Sequence, residues 1–321
     1  MGNGAARISV AMCTYNGERF LPEQLASIAK QTRLPDELVV CDDRSTDRTV
    51  DIVREFAATA SHPVRIFVNE RNLGFVANFE RAIQLCNGDL IALSDQDDSW
   101  YPERLERSEQ EFAEHPEVGL VFSDADLIDD QGQLTGTRLW PNFGFVGELK
   151  QRLLAGDYTV LTRRRFVTGA TIMFRSRLRE NCLPFGSGWL HDEWLAPVAA
   201  AVADLLPIDA PLIHYRKHAS QQVGLSPQPG LWERHRRHWG ELSRQIGMLE
   251  EMCSRLSQQP LSHRGEILYS RYQALLRFAR FRFTLPRRRL RRVGPMLRQY
   301  ASYAACGSGV LSMATDLVLS K

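Results

Sequence analysis

Leu90-Ile91-Ala92-Leu93-Ser94-Asp95-Gln96-Asp97-Asp98 sets the reading of the chain. Leu90–Leu93 is apolar without alternation, the pattern of a strand covered on both faces inside a parallel sheet. The acids arrive where that strand ends, and open α/β sheets bind ligands beyond the carboxyl ends of their strands. Working outward, apolar runs predict strands over 7–13, 37–41, 64–69 and 118–123. Helical spacing predicts helices over 22–30 and 47–60, the second capped by Ser45-Thr46-Asp47, then one marked by Val76, Phe79, Ile83 and Cys86, and one over 102–115. This alternation predicts an α/β fold, a mainly parallel central sheet flanked by helices in the Rossmann-like manner. Beyond 125 the pattern loosens to a strand near Phe166–Phe174, a helix over Asp192–Ala203 and a strand over Ile208–His214. Residues 231–302 read as helical and arginine-rich, so the expected division is 1–225 for the α/β domain and 226–321 for a helical C-terminal extension.

The 321 residues are 44% hydrophobic and 24% charged, which excludes wholesale disorder and collagen-like or disulfide-scaffold chains. The six cysteines form no C-x-x-C pair and several sit in apolar runs, as expected of a reducing compartment. The net charge of +2 hides an asymmetry. Residues 1–230 carry 23 basic and 32 acidic side chains, residues 231–321 carry 17 and 6, so a body of −9 precedes a tail of +11. The polar Met1–Arg7 predicts no signal peptide. Nor is there a run of 18 apolar residues; Tyr303–Leu319 comes nearest and is interrupted by Gly307, Ser308, Gly309, Ser312 and Asp316.

Polar residues follow three strands: Thr14-Tyr15-Asn16-Gly17 after the first, Asp42-Asp43 after the second, Asp95-Gln96-Asp97-Asp98 after the fourth. Carboxylates converging on one crevice would repel a bare phosphate and accept one through a divalent cation, Mn²⁺ or Mg²⁺. Asp95 and Asp97, two apart, point the same way on extended backbone. Neither G-x-G-x-x-G after the first strand nor G-x-x-x-x-G-K-[ST] occurs, which removes the main support for dehydrogenase and P-loop readings.

Ser9–Gly17, Gln31-Thr32, Asp42–Asp47, Asn72-Leu73-Gly74, Asn87-Gly88-Asp89 and Leu93–Trp100 together resemble family 2 inverting glycosyltransferases of the GT-A fold, over about residues 7–225. The bacterial cell-surface, rhamnosyltransferase-like subset is the most similar. The resemblance implies that Thr14, Tyr15 and Asn16 belong to the segment holding the nucleotide, that Asp43 reads the base edge, and that Asp95 and Asp97 form the metal and diphosphate motif, with Asp97 on the metal. It places the catalytic base in His191-Asp192-Glu193-Trp194, as Asp192 with Glu193 in reserve; helix capping is the competing role of Asp192. Tyr215-Arg216-Lys217-His218 matches a "YRxH" segment, so Arg216 would meet the diphosphate and His218 approach the metal, while His214 reads as structural. The small residues Thr168–Thr171 would let backbone approach the donor sugar, and a tight strand bend explains Gly169 equally well. The processive members' Q-x-x-R-W motif is missing, and Gln221-Gln222-Val223 does not replace it.

The expected reaction is one displacement with inversion. A sugar moves from a nucleoside-diphosphate donor, possibly dTDP-L-rhamnose, to a hydroxyl of a glycan or lipid-linked acceptor. A UDP-hexose donor and a non-catalytic nucleotide-sugar-binding scaffold are the alternatives. Arginines between Arg277 and Arg298, Arg287 among them, interleave with Phe278, Phe281, Phe283, Leu285, Leu290 and Val293. Such a basic amphipathic segment suits peripheral contact with an anionic membrane, at the cytoplasmic face of the inner membrane for a bacterial protein. No RRM or KH signature accompanies it, so nucleic acid is not an expected partner.

Overall fold

The computed structural model describes residues 6–219, 221, 231–286, 288–307 and 309–318. Arg287, Gln222, Val223 and Ser308 lie outside them, as does the expected domain boundary at 225/226. The described residues fall into two compact units, one comprising 6–185 with 189–221, the other 186–188 with 231–318.

The first unit runs β1 (Ile8–Thr14), α1 (Leu21–Ala29), β2 (Glu37–Asp42), α2 (Thr49–Ala57), β3 (Val64–Val68), α3 (Phe75–Leu85), β4 (Leu90–Ser94), β5 (Ser99–Trp100), α4 (Arg104–Glu114), β6 (Val118–Ile128), β7 (Leu134–Arg138), α5 (Leu139–Phe143), α6 (Gly147–Leu154), β8 (Ile172–Arg175), α7 (Arg179–Cys182), α8 (His191–Val202) and β9 (Asp204–Arg216). The sheet order is β3-β2-β1-β4-β8-β6-β9-β5, with β7 on β6. β3, β2, β1 and β4 are parallel, as are β6 and β9. β8 runs antiparallel between β4 and β6. Every residue of β1, β2 and β4 is buried, which is why these strands read as unbroken apolar runs.

Three expectations change in detail. Asp47 stands before α2, not inside it, and its Oδ1 takes the Thr49 N–H at 3.0 Å, satisfying one amide of the first turn. The strand expected from Phe166 begins only at Ile172, because Gly169–Thr171 form a 3-10 turn. The stretch from 125 onward, taken as irregular, holds the end of β6, the exposed β7, and α5 and α6.

The second unit contains α9 (Leu231–Ser257), α10 (His263–Thr284), α11 (Val293–Arg298), α12 (Tyr300–Cys306) and α13 (Val310–Val318). Phe278, Leu285, Met296 and Tyr303 form its apolar cluster. Beside it Asp316 is fully buried and accepts from Arg282 Nε at 2.7 Å, Arg282 Nη2 at 2.6 Å and Tyr303 Oη at 2.7 Å. Arg292, also fully buried, donates to the main-chain oxygens of Pro286 and Asp316. The arginine-rich segment is therefore not one solvated basic face: Arg282 turns inward because a buried carboxylate requires charged hydrogen-bond partners, and Arg292 turns inward onto main-chain oxygens.

Candidate active site

A cavity of about 360 Å³ opens at the carboxyl edge of the sheet, bordered by the ends of β1, β2 and β4, the start of α3, the 168–169 turn and the start of α8. Of the expected residues, Thr14, Tyr15, Asn16, Asp43, Asp95, Asp97, Asp192 and His218 border it, and Arg216 does not.

Side-chain hydrogen bonds join the loops after β1 and β2. Thr14 Oγ1 donates to Asp42 Oδ1 at 2.9 Å, and Asp42 Oδ2 accepts from Ser45 N at 2.8 Å. Ser45 Oγ accepts from Asn16 N at 2.9 Å, and Asn16 Oδ1 accepts from Thr46 N at 2.8 Å. Asn16 and Arg44 take left-handed backbone, with φ of 49° and 66°. At Asn16 this suits a side chain able to bond locally. Thr14 and Asn16 thus shape the loop that presents Tyr15. Asp43 is buried; its Oδ1 accepts from Asn69 Nδ2 and Leu73 N, both at 2.7 Å, and its Oδ2 from Gly74 N at 2.9 Å. Its carboxylate organises the turn into α3 at the cavity wall.

The acids after β4 divide by environment. Asp98 is buried and accepts from Arg216 N at 2.9 Å; burial, then Asp97 and Asp95, push its carboxyl well above the usual range. Burial, followed by Asp97 and Asp192, raises Asp95 to about 8, with Arg104 opposing. Arg104 lies buried with its guanidinium 3.7 Å from the Trp100 ring centroid and donates to Leu93 O at 3.0 Å. Asp97 Oδ2 stands 2.8 Å from His218 Nε2. Asp95, Asp97 and His218 offer the carboxylate oxygens and imidazole that a small divalent cation takes, without all three bringing a ligand atom to within 4.8 Å of one another, and burial, then the neighbouring Asp97 and Asp192, disfavours the charged form of Asp95.

Arg216 departs from its expected place. It is 1% exposed and does not border the cavity. Its Nε donates to Asp97 O at 2.7 Å, Nη1 to Asp129 O at 3.3 Å and Nη2 to Glu23 Oε2 at 2.5 Å. These partners occupy the guanidinium, so it braces the Asp97 backbone from behind and does not offer its charge to a diphosphate. His214 packs on Tyr101 at 4.1 Å between centroids, outside the cavity lining.

Asp192 is the second residue of α8. Its Oδ2 accepts from Gly169 N at 3.0 Å and its Oδ1 from Glu193 N at 2.8 Å. Asp192 is therefore not the cap of α8, whose N-cap is Leu190; it takes one amide of the first turn, that of Glu193, and faces the cavity. Glu193 does not border the cavity; it pairs with Arg165, and burial raises it to about 7. Sequence reasoning gave no role to Gln96, Phe75, Asn78, Phe79 or His191, all of which border the cavity. Phe75 and Phe79, spaced i, i+4 on α3, could have been found as a pair facing one way; Gln96 carries no local signal.

The Glycosyl transferase family 2 profile matches residues 9–178, over half of the chain. The chain is 34% identical over 140 residues to the putative glycosyltransferase EpsE of Bacillus subtilis, covering 44% of this chain and 50% of that protein. It is 38% identical over 101 residues to the dTDP-rhamnosyl transferase RfbG of Shigella flexneri, covering 30% and 35%. The matched part spans about half the length, or less, of these curated relatives. Among solved structures, Staphylococcus aureus TarS 1–349 in complex with UDP-GlcNAc superposes with a TM-score of 0.61 at 17% identity, covering 97% of this chain and 88% of that one. The mannosyltransferase PcManGT of Pyrobaculum calidifontis, solved with GDP-Man and Mn²⁺, gives 0.54 at 16% identity, covering 99% and 82%. These likenesses show a GT-A-like α/β fold. The profile match over more than half its length shows that the chain belongs to glycosyl transferase family 2.

Proposed function

We propose that this protein transfers a sugar from a nucleoside-diphosphate donor to an acceptor hydroxyl with inversion, Asp192 acting as the base. One observation carries the reading: Asp95, Asp97 and Asp192 face the same cavity as Thr14, Tyr15 and Asp43. The nucleotide would lie against Tyr15 and the Asp43 wall. Asp192 would take the proton of the acceptor hydroxyl as its oxygen attacks the anomeric carbon. The bond from that carbon to the diphosphate oxygen breaks on the opposite face, and the nucleoside diphosphate leaves with the electron pair. Asp95 and Asp97, with His218 beside Asp97, would hold Mn²⁺ or Mg²⁺, which supplies positive charge against the phosphates. Gly169 N–H on Oδ2 and Glu193 N–H on Oδ1 keep the base aimed, and each carboxylate oxygen retains a lone pair beyond the one so used.

Among donors, dTDP-L-rhamnose takes its support from the short match to the Shigella dTDP-rhamnosyl transferase; UDP-hexoses follow from the bound sugar of the TarS structure. The test incubates the protein with dTDP-L-rhamnose, UDP-glucose, UDP-galactose or UDP-GlcNAc, Mn²⁺ and a lipid-linked glycan. Release of nucleoside diphosphate, a mass gain on the acceptor and an inverted anomeric centre by NMR are expected. Saturable binding without turnover would favour the scaffold reading instead.

The acceptor carrier is proposed to lie at an anionic membrane at the cytoplasmic face. Support comes from the second unit, where Leu290 is 88% exposed, Leu297 62% and Leu311 70%, close in sequence to exposed Arg288, Arg289, Arg291 and Arg298. No helix among the described residues is long and apolar enough to cross a membrane. Co-sedimentation with phosphatidylglycerol vesicles but not with phosphatidylcholine vesicles is the expected result.

A further inference from the structure

We propose that Arg19 leaves its contact with Asp130 to bind the diphosphate of the donor, giving the leaving nucleoside diphosphate a positive charge from the protein itself; the inference rests on the sugar-transfer reading above. The cavity wall is acidic, with Asp43, Asp95, Asp97 and Asp192 all bordering it. Arg19 is the only arginine or lysine among the described residues that border it. Arg216, the cation expected there from the sequence, has its guanidinium engaged by Glu23 and the carbonyls of Asp97 and Asp129. A nucleoside diphosphate carries more negative charge as it leaves than one divalent cation cancels. Arginine answers that excess well, because its planar fork matches a pair of phosphate oxygens.

Phe20 places the guanidinium. The Arg19 guanidinium carbon lies 4.6 Å from the centroid of the Phe20 ring. Phe20 is 8% exposed and borders the cavity beside Arg19. The same ring packs on His218 at 4.7 Å between centroids, and His218 Nε2 stands 2.8 Å from Asp97 Oδ2. One fixed ring therefore links Arg19 to the end of the cavity that holds Asp97, where the phosphates would lie.

The present partner of Arg19 holds it weakly. Arg19 Nη2 donates to Asp130 Oδ2 at 3.1 Å and to Asp130 O at 3.4 Å. The two side chains are 61% and 37% exposed, and an ion pair so open to water contributes little. Asp130 does not border the cavity, so the guanidinium stands at the rim between one carboxylate outside and the phosphates inside. A diphosphate offers more charge than Asp130, in a recess less screened by water. Exchanging one acceptor for the other requires only side-chain rotation, which exposed residues undergo readily.

The test is calorimetric titration of the full chain in Mn²⁺ with UMP and UDP, and with dTMP and dTDP. Arg19→Ala is expected to bind the diphosphate about tenfold more weakly than wild type and the monophosphate within about twofold. Arg19→Lys, which keeps the charge without the fork, is expected to recover part of the loss. Asp130→Asn removes the competing carboxylate and is expected to bind the diphosphate about twofold more tightly, an effect that a purely structural Arg19–Asp130 pair would not give. Equal losses for both ligands in Arg19→Ala, no loss for either, or diphosphate binding by Asp130→Asn no tighter than wild type overturns the inference alone. Wild-type protein that binds neither UDP nor dTDP overturns the transfer reading and this inference with it.

Discussion

The Gln96 carboxamide straddles the Tyr15 peptide: its Oε1 accepts from Tyr15 N at 2.8 Å and its Nε2 donates to Tyr15 O at 3.0 Å. The loop after β4 thereby fixes the loop after β1, and Gly17 leaves the room, since a Cβ there would overlap the carboxamide. Gln96→Glu keeps the shape but turns an acceptor toward the Tyr15 carbonyl. Nucleoside diphosphate affinity, read by calorimetry, is expected to fall about tenfold. Unchanged affinity would show that the pairing does not shape the donor loop.

Asp192→Asn removes the proton acceptor while leaving an oxygen for Gly169 N–H. Turnover should fall by roughly 10²–10⁴-fold with donor affinity close to wild type, the signature of a general base. Initial rates and donor titrations on the same preparation separate the two. Wild-type-like turnover would move the role elsewhere, with Glu193 next in line.

Asp97→Ala deletes one proposed metal ligand and the partner of His218. In thermal melts with UDP, Mn²⁺ should raise the wild-type midpoint by mass action and leave the variant's unmoved. His218→Phe, which keeps a ring beside Phe20, should weaken the Mn²⁺ response without abolishing it. A full Mn²⁺ effect in Asp97→Ala would rule out this placement of the ion.

Acid should unfold the first unit partly through Glu37. Burial alone would raise its pKa, but Ser9 Oγ at 2.6 Å, Asn87 N at 2.6 Å and Arg65 Nη1 at 2.9 Å prevail and hold it below 4.5. A depressed carboxylate contributes stability above its unfolded pKa, and that contribution is lost as pH falls from about 4.5 through the folded value. Glu37→Gln should therefore lower the melting temperature at pH 7 and flatten its fall between about pH 5 and pH 2. Parallel melting curves for the two proteins across that window would contradict the assignment.

In the second unit Asp316→Ala strands Arg282 and Tyr303 without their acceptor. Breaking a buried ion pair from one side costs about 3–5 kcal/mol. Hydrogen exchange should show the amides of α13 and α12 losing protection. Retained protection would mean the apolar cluster around Phe278 and Met296 suffices.

Much of this was legible in the sequence, and for a physical reason. β1, β2 and β4 are covered on both faces, so burial wrote itself into unbroken apolar runs, and the strand ends gave the positions of Asp43, Asp95 and Asp97. Asp192 was legible as part of a motif. What escaped depends on three-dimensional partners. Arg216 looks like a free cation, and only Glu23 and the carbonyls of Asp97 and Asp129 reveal it as a brace. β7 is wholly exposed and carries no apolar signature, and residues 163–168, which hold no regular structure, bear no periodicity. The inward turn of Arg282 follows from one buried acid, Asp316, far along the chain, and that of Arg292 from the main-chain oxygens of Pro286 and Asp316.

The direction of β8 has a consequence for how this protein can change. β6 leaves the sheet, and β8 re-enters it, on the side where β4 ends, because β8 runs opposite to both neighbours. The chain between Ile128 and Ile172 is thus a detour that adds β7 on β6, packs Trp140, Phe145 and Phe166 on Phe122, and returns past Thr168 and Gly169 at the cavity. Change is therefore tolerated unevenly along it: the exposed β7 can vary in composition, while the buried aromatic residues that pack on β6 hold the approach to Thr168 and Gly169 in place.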